Sequence, residues 1–93
     1  MKNNASAVSE GVQKWPTQNM YLMVLLRALG FEPLQRGGIQ YSDGVMFYWF
    51  DLDEVGETVR AYMDKREILV DIHEVWKAME KFKSDLRRHS SHR

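Results

Sequence analysis

The stretch Val45-Met46-Phe47-Tyr48-Trp49-Phe50, led in by Asp43-Gly44 and closed by Asp51, decides the fold. Aromatic and β-branched side chains dominate it, and these fit the pleated surface of a strand better than a helix. Asp-Gly is a strong hairpin signal, because both central residues of the tightest turn take positive φ. A partner strand must therefore come from Phe31 to Tyr41. Pro33 and Gly37-Gly38 interrupt that segment and predict a broken edge strand with a bulge or bend.

On the N-terminal side, Met20 to Leu29 is apolar nearly all round except for Arg27. That predicts a helix over about 18–29, buried on more than one side. Gly30 stops it, since glycine tolerates the left-handed conformation past a helix end, and Phe31 should fold back onto Leu26. Trp15-Pro16 reads as an entry segment. Pro16 cannot extend a strand ladder, and Thr17 is placed to cap the helix. Residues 1–14 are small and polar and read as a flexible arm.

On the C-terminal side, Asp51-Leu52-Asp53-Glu54 and Asp71-Ile72-His73-Glu74 repeat one capping pattern. The first opens a helix over about 52–64, with Leu52, Val55, Val59, Tyr62 and Met63 on one face. The second opens a helix over about 72–88. Its stripe is Ile72, Val75, Trp76, Met79, Phe82 and Leu86, the clearest helical periodicity in the chain. Ile68-Leu69-Val70 is a short extended segment or third strand, and residues 89–93 a disordered tail. The fold class is α+β: one domain over 15–88, in the order helix, antiparallel hairpin, helix, long C-terminal helix. The expected core is Leu22, Leu25, Leu26, Leu29, Phe31, Tyr48, Phe50, Val55, Val59, Val75, Trp76, Met79 and Phe82.

Composition narrows the chemistry. The 93 residues suffice for one domain. With no cysteine, disulfides, thiolate metal sites and cysteine nucleophiles are excluded. Met1–Lys14 has no apolar run and does not read as a secretory signal. The most apolar stretch, Met20–Leu26, is too short to span a membrane. A cytoplasmic protein with no membrane partner is expected. Net charge is zero but uneven: +2 over residues 1–36, −5 over 37–64, −1 over 65–80 and +4 over 81–93. A solvated surface and the dipole at helix ends account for most of this pattern.

No catalytic motif emerges. His73 lies in a first helical turn beside Asp71 and Glu74, with no nucleophile to activate. His89 and His92 sit in the terminal tail, away from any helix that would fix a metal spacing. Asp43, Asp51, Asp53, Glu54 and Glu57 lack calcium-loop spacing and are explained as turn and cap residues. Gly37-Gly38 is too short to cradle a phosphate. The expectation is a protein that is not an enzyme, with no cofactor, no metal and no evident small-molecule substrate.

Two surfaces remain. Alternation sends Met46, Tyr48 and Phe50 to one face of the sheet and Val45, Phe47 and Trp49 to the other. Helices on one side leave Val45, Phe47 and Trp49 as a protein-interaction face, for self-association as a homodimer or for another protein. Helices on both sides would bury it, and a base-stacking platform is a further reading. The second surface is basic: Lys77, Lys81, Lys83, Arg87 and Arg88 on the last helix. It makes a nucleic acid the alternative partner.

The run Tyr21-Leu-Met-Val-Leu-Leu-Arg-Ala-Leu-Gly-Phe31, the hairpin ending Phe50-Asp51, and Val70-Asp-Ile-His-Glu-Val-Trp-Lys77 resemble a family of very small bacterial and phage proteins, known only as a domain of unknown function. The resemblance covers about residues 18–88 and rests on structural motifs, so it carries over no functional residue. It implies the same order of elements and an accessory role in a phage or mobile element. The chain departs from the family pattern in placing Phe47 and Trp49 where smaller residues are expected.

Overall fold

Residues 12–90 are described by a computed structural model. Most of the expected N-terminal arm, and residues 91–93 of the expected tail, lie outside the described residues. The elements are β1 (Lys14–Thr17), α1 (Met20–Ala28), β2 (Ile39–Ser42), β3 (Val45–Asp51), α2 (Leu52–Met63) and α3 (Ile72–Ser90). The class is α+β, with helix, hairpin, helix and long C-terminal helix in the expected order.

The Val45–Asp51 strand is the centre of a three-stranded antiparallel sheet of order β1-β3-β2. Both flanks differ from expectation. The first hairpin strand is only Ile39–Ser42, paired Ile39 to Tyr48 and Ser42 to Val45. Residues 31–38 form an irregular segment that still lends the strand hydrogen bonds. Leu34 N–H donates to Trp49 C=O at 2.9 Å, and Trp49 N–H donates to Gly38 C=O at 2.8 Å. Gly38 is needed there, since a Cβ would lie 2.0 Å from the Leu34 carbonyl oxygen. Asp43 and Gly44 take φ of 54° and 80°, as the turn requires.

The other flank corrects the entry segment. Lys14–Thr17 is an edge strand, with Pro16 opposite Trp49 and Trp15 opposite Phe50. Pro16 fits because the backbone polar groups of Trp49 already point toward β2. The Pro16–Trp49 pair therefore has no ladder bond, and the missing N–H of Pro16 faces the open edge. With Thr17 in a strand, Asn19 caps α1 instead, its side chain accepting from Leu22 N–H at 3.2 Å. Thr17 Oγ1 accepts from Asn19 N–H, also at 3.2 Å.

Helix ends follow the local chemistry. Phe31 N–H donates to Leu26 C=O at 3.0 Å, with Gly30 at φ 99°, so the chain folds back past α1 as the glycine stop predicts. Asp51 caps α2 by accepting from Asp53 N–H at 3.0 Å, and Asp71 caps α3 by accepting from His73 N–H at 2.7 Å. The α2 end repeats the fold-back with Lys65, not glycine, at φ 59°. Residues 68–70 form no strand. The last helix continues through His89 and Ser90, past the expected start of the tail.

All three helices lie against one face of the sheet. Met46, Tyr48 and Phe50 join Leu22, Met23 and Leu26 of α1 and Val55 and Val59 of α2 in the main core, with Phe82 of α3 packed on it. A second, smaller cluster joins α1 to α3: Val24 and Ala28 meet Ala78, with Val70, Val75, Met79 and Phe82 packed around them. Trp76 is the main correction to the expected core. It is 58% exposed, because the buried stripe of α3 runs through Ala78 and Asp85. Trp76 projects from the flank of that stripe.

Candidate functional site

Two features at the α1–α3 junction stand out: a buried ionic network on its inner side and an apolar groove on its outer side. Both arise where α1 and α3 pack directly on one another through Val24, Ala28 and Ala78.

The network centres on Asp85, which is 5% exposed. Its Oδ2 accepts from Tyr48 O–H at 2.6 Å and from Arg27 Nη1 at 2.7 Å. Its Oδ1 accepts from Arg88 at 3.2 Å. Arg27 also donates to the Tyr48 hydroxyl at 3.0 Å and pairs with Glu32 at 3.1 Å, while its guanidinium carbon lies 5.3 Å from the Tyr48 ring centre. His89 Nδ1 lies 2.9 Å from the Asp85 carbonyl oxygen. Three elements are thus tied by one carboxylate. Burial pushes the Tyr48 phenol above its ordinary range, and its hydrogen bond to Asp85 adds to the rise. Burial opposes the charge on Arg27, but its bond to Tyr48 and the carboxylates of Glu32 and Asp85 outweigh that and raise its pKa. A phenol held protonated and an arginine held charged make poor proton carriers near neutral pH. The network therefore fits a structural clamp better than a general acid or base.

The outer side has the opposite character. Met20, Tyr21, Val24 and Leu25 of α1 face Val75 and Met79 of α3 across an apolar groove of about 240 Å³. Tyr21, which lines it, is 72% exposed, and on α3, the helix that supplies Val75 and Met79, Ile72 and Trp76 are also exposed. His73 stands edge-on to that indole at 5.5 Å. Exposed aromatic side chains and an apolar groove are the features that interfaces use.

The residues singled out from the sequence are placed elsewhere. Val45, Phe47 and Trp49 do share the sheet face away from the helices. Val45 is exposed, whereas Phe47 and Trp49 are half-buried. Trp49 Nε1 donates to Gln40 at 3.0 Å, and the indole lines a small groove with Lys14, Leu34, Arg36, Gly37 and Gln40. The basic residues of α3 divide between two flanks. Lys77, Lys81 and Arg88 lie along one, and Lys83 and Arg87 along the other, as their spacing on a helix demands. Lys77 pairs with Glu74 at 3.2 Å, Lys83 with Glu80 at 3.7 Å, and Arg88 with Asp85. They form no single basic stripe.

Asp85 and the partners of Arg27 are not singled out by any sequence motif. One signal was available: Asp85 follows Ala78 by seven residues and Phe82 by three, so it lies on the inward stripe of α3. Among the described residues, no group of three or more His, Cys, Asp or Glu is placed to hold a metal ion. No helix there is long and apolar enough to cross a membrane. Comparison with family models, curated proteins and solved structures found no match to the chain.

Proposed function

We propose that the protein is a non-enzymatic interaction module that docks a protein partner on the outer face of α1 and α3. The observation that carries this reading is the exposure of the Trp76 indole on α3 together with the apolar groove that α3 and α1 form, lined by the exposed Tyr21. Apolar surface left in water costs about 25 cal/mol per Å², so a partner that covers these rings gains that energy without reorganising the core. Tryptophan and tyrosine are the side chains most often found at the energetic centre of interfaces. The face thus outranks the Phe47–Trp49 surface, whose two rings are already half-buried. An accessory protein of a phage or mobile element acts in this way when it occupies or bridges other proteins.

The test is cross-linking in cells with the full chain, comparing wild type with Trp76→Glu and Tyr21→Glu. Loss of the cross-linked partner, itself or another protein, with unchanged circular dichroism is expected. An interaction pattern identical in all three would overturn the reading.

A further inference from the structure

We propose that the occupant of this face is a second copy of the same chain, its α3 laid antiparallel across the first α3 about a two-fold axis. This rests on the interaction reading above. The exposed flank of α3 carries Ile72, Trp76, Met79, Lys83, Leu86 and Ser90, spaced alternately by four and three residues. That alternation is the seam of a two-helix coil, and it differs from the inward stripe through Ala78 and Asp85 that holds α3 to its own core. Ile72, Trp76 and Leu86 are all exposed on it. One helix thus presents two packing faces: the inward one is filled, while on the other Met79 reaches the second core cluster and Ile72, Trp76 and Leu86 stay exposed.

Charge selects the partner and its direction. Lys83 interrupts the seam, and Glu80 stands beside it at 3.7 Å on the same helix. In a parallel pair, each Lys83 meets the other Lys83, which is repulsive. In an antiparallel pair with the axis near residue 81, each Lys83 falls across Met79 and Glu80 of the second copy. The attraction then occurs twice, once on each side of the axis. The same register sets Trp76 against Leu86 of the second copy, and Ile72 against its Ser90. Leu86 of the second copy is thereby carried to the mouth of the groove beside Val75 and Met79. A lysine in such a seam specifies register and weakens the pair, so the dimer is reversible.

The experiment is sedimentation equilibrium on the full chain, up to roughly 500 µM, where a pair as weak as this should still be populated. Four proteins are compared: wild type, Glu80→Lys, Lys83→Glu and the double exchange. A wild-type monomer–dimer equilibrium is expected, weakened about tenfold by either single change and recovered by the double exchange. Glu80 and Lys83 are surface residues, so circular dichroism should not change in any of the four. A wild-type monomer throughout, or a dimer indifferent to both single changes, would overturn self-pairing. If cross-linking to a different protein still depends on Trp76, the interaction reading stands while self-pairing fails.

Discussion

Trp76 and Asp85 lie on the same helix, about two and a half turns apart, in surroundings opposite to their chemistry. The tryptophan is in water and the aspartate is in the core. Asp85 tolerates burial because both carboxylate oxygens are engaged, Oδ2 by Tyr48 and Arg27 and Oδ1 by Arg88. The exposure of Trp76 has no such compensation inside the fold, apart from an edge contact with His73. The difference shows which residues the fold needs and which it leaves over. The inner side of the α1–α3 junction is closed by directional bonds. The outer side is open and apolar, and covering it lowers the free energy of an assembly while leaving the monomer unchanged.

Breaking the inner side should have the largest effect. Asp85→Ala leaves the Arg27 charge buried without its carboxylate and should cost roughly 3–5 kcal/mol in urea unfolding. Pairing it with Arg27→Met should recover part of that loss, because no orphan charge remains. A double variant no better than Asp85→Ala alone would mean that the network is worth more than its charges.

Tyr48→Phe is milder, at about 1–2 kcal/mol, since it removes the hydroxyl's bonds to Asp85 and Arg27 but keeps the ring and the Arg27–Asp85 pair. Its alkaline behaviour sharpens the point. The phenol is raised in the folded state from its ordinary value of 10.0. Above that pH the unfolded chain releases a proton that the folded chain retains, so stability falls as pH rises. Melting temperatures between pH 8 and pH 11 should drop more steeply for wild type than for Tyr48→Phe. Parallel curves would show that Tyr48 does not hold its proton as the geometry implies.

Trp76→Ala should cost less than about 1 kcal/mol in the monomer, whereas a core tryptophan costs roughly 3–5 kcal/mol. A large loss measured at concentrations where the protein is monomeric would place the indole in the core after all. The smallest effect is expected at Lys65, which belongs to neither side. Lys65→Gly relieves a left-handed backbone and should raise stability by about 0.5 kcal/mol, readable as a small rise in melting temperature.

The fold was largely legible because its signals are local. Asp43-Gly44 sets the turn, Gly30 ends α1, and Asp51 and Asp71 open the last two helices, each through its own backbone preference or cap. What escaped depends on contacts distant in sequence. β1 pairs with β3 across α1 and β2, and Pro16 argues against a strand until its donor-less nitrogen is known to face an open edge. Periodicity places Trp76 in the core because α3 admits two stripes, and hydrophobicity alone favours the one with more apolar side chains. The true inward stripe contains Asp85, whose burial makes sense only once Arg27 and Tyr48 are opposite it. The groove is hidden from the sequence for the same reason: Val75 and Met79 pack on the core and line the groove at once, and apolar spacing alone does not separate the two.

Pro16 has a consequence beyond the geometry of one strand. Val45–Phe50 has the makings of an amyloid-forming segment: uncharged, rich in β-formers and without proline or glycine. In the native sheet it is flanked on both sides, and the strand guarding it at one edge has a proline whose outward position offers no donor to a further chain. Loss of β1 would uncover the most adhesive hexapeptide in the molecule. A four-residue strand ahead of the first helix thus serves as a safeguard against fibril growth.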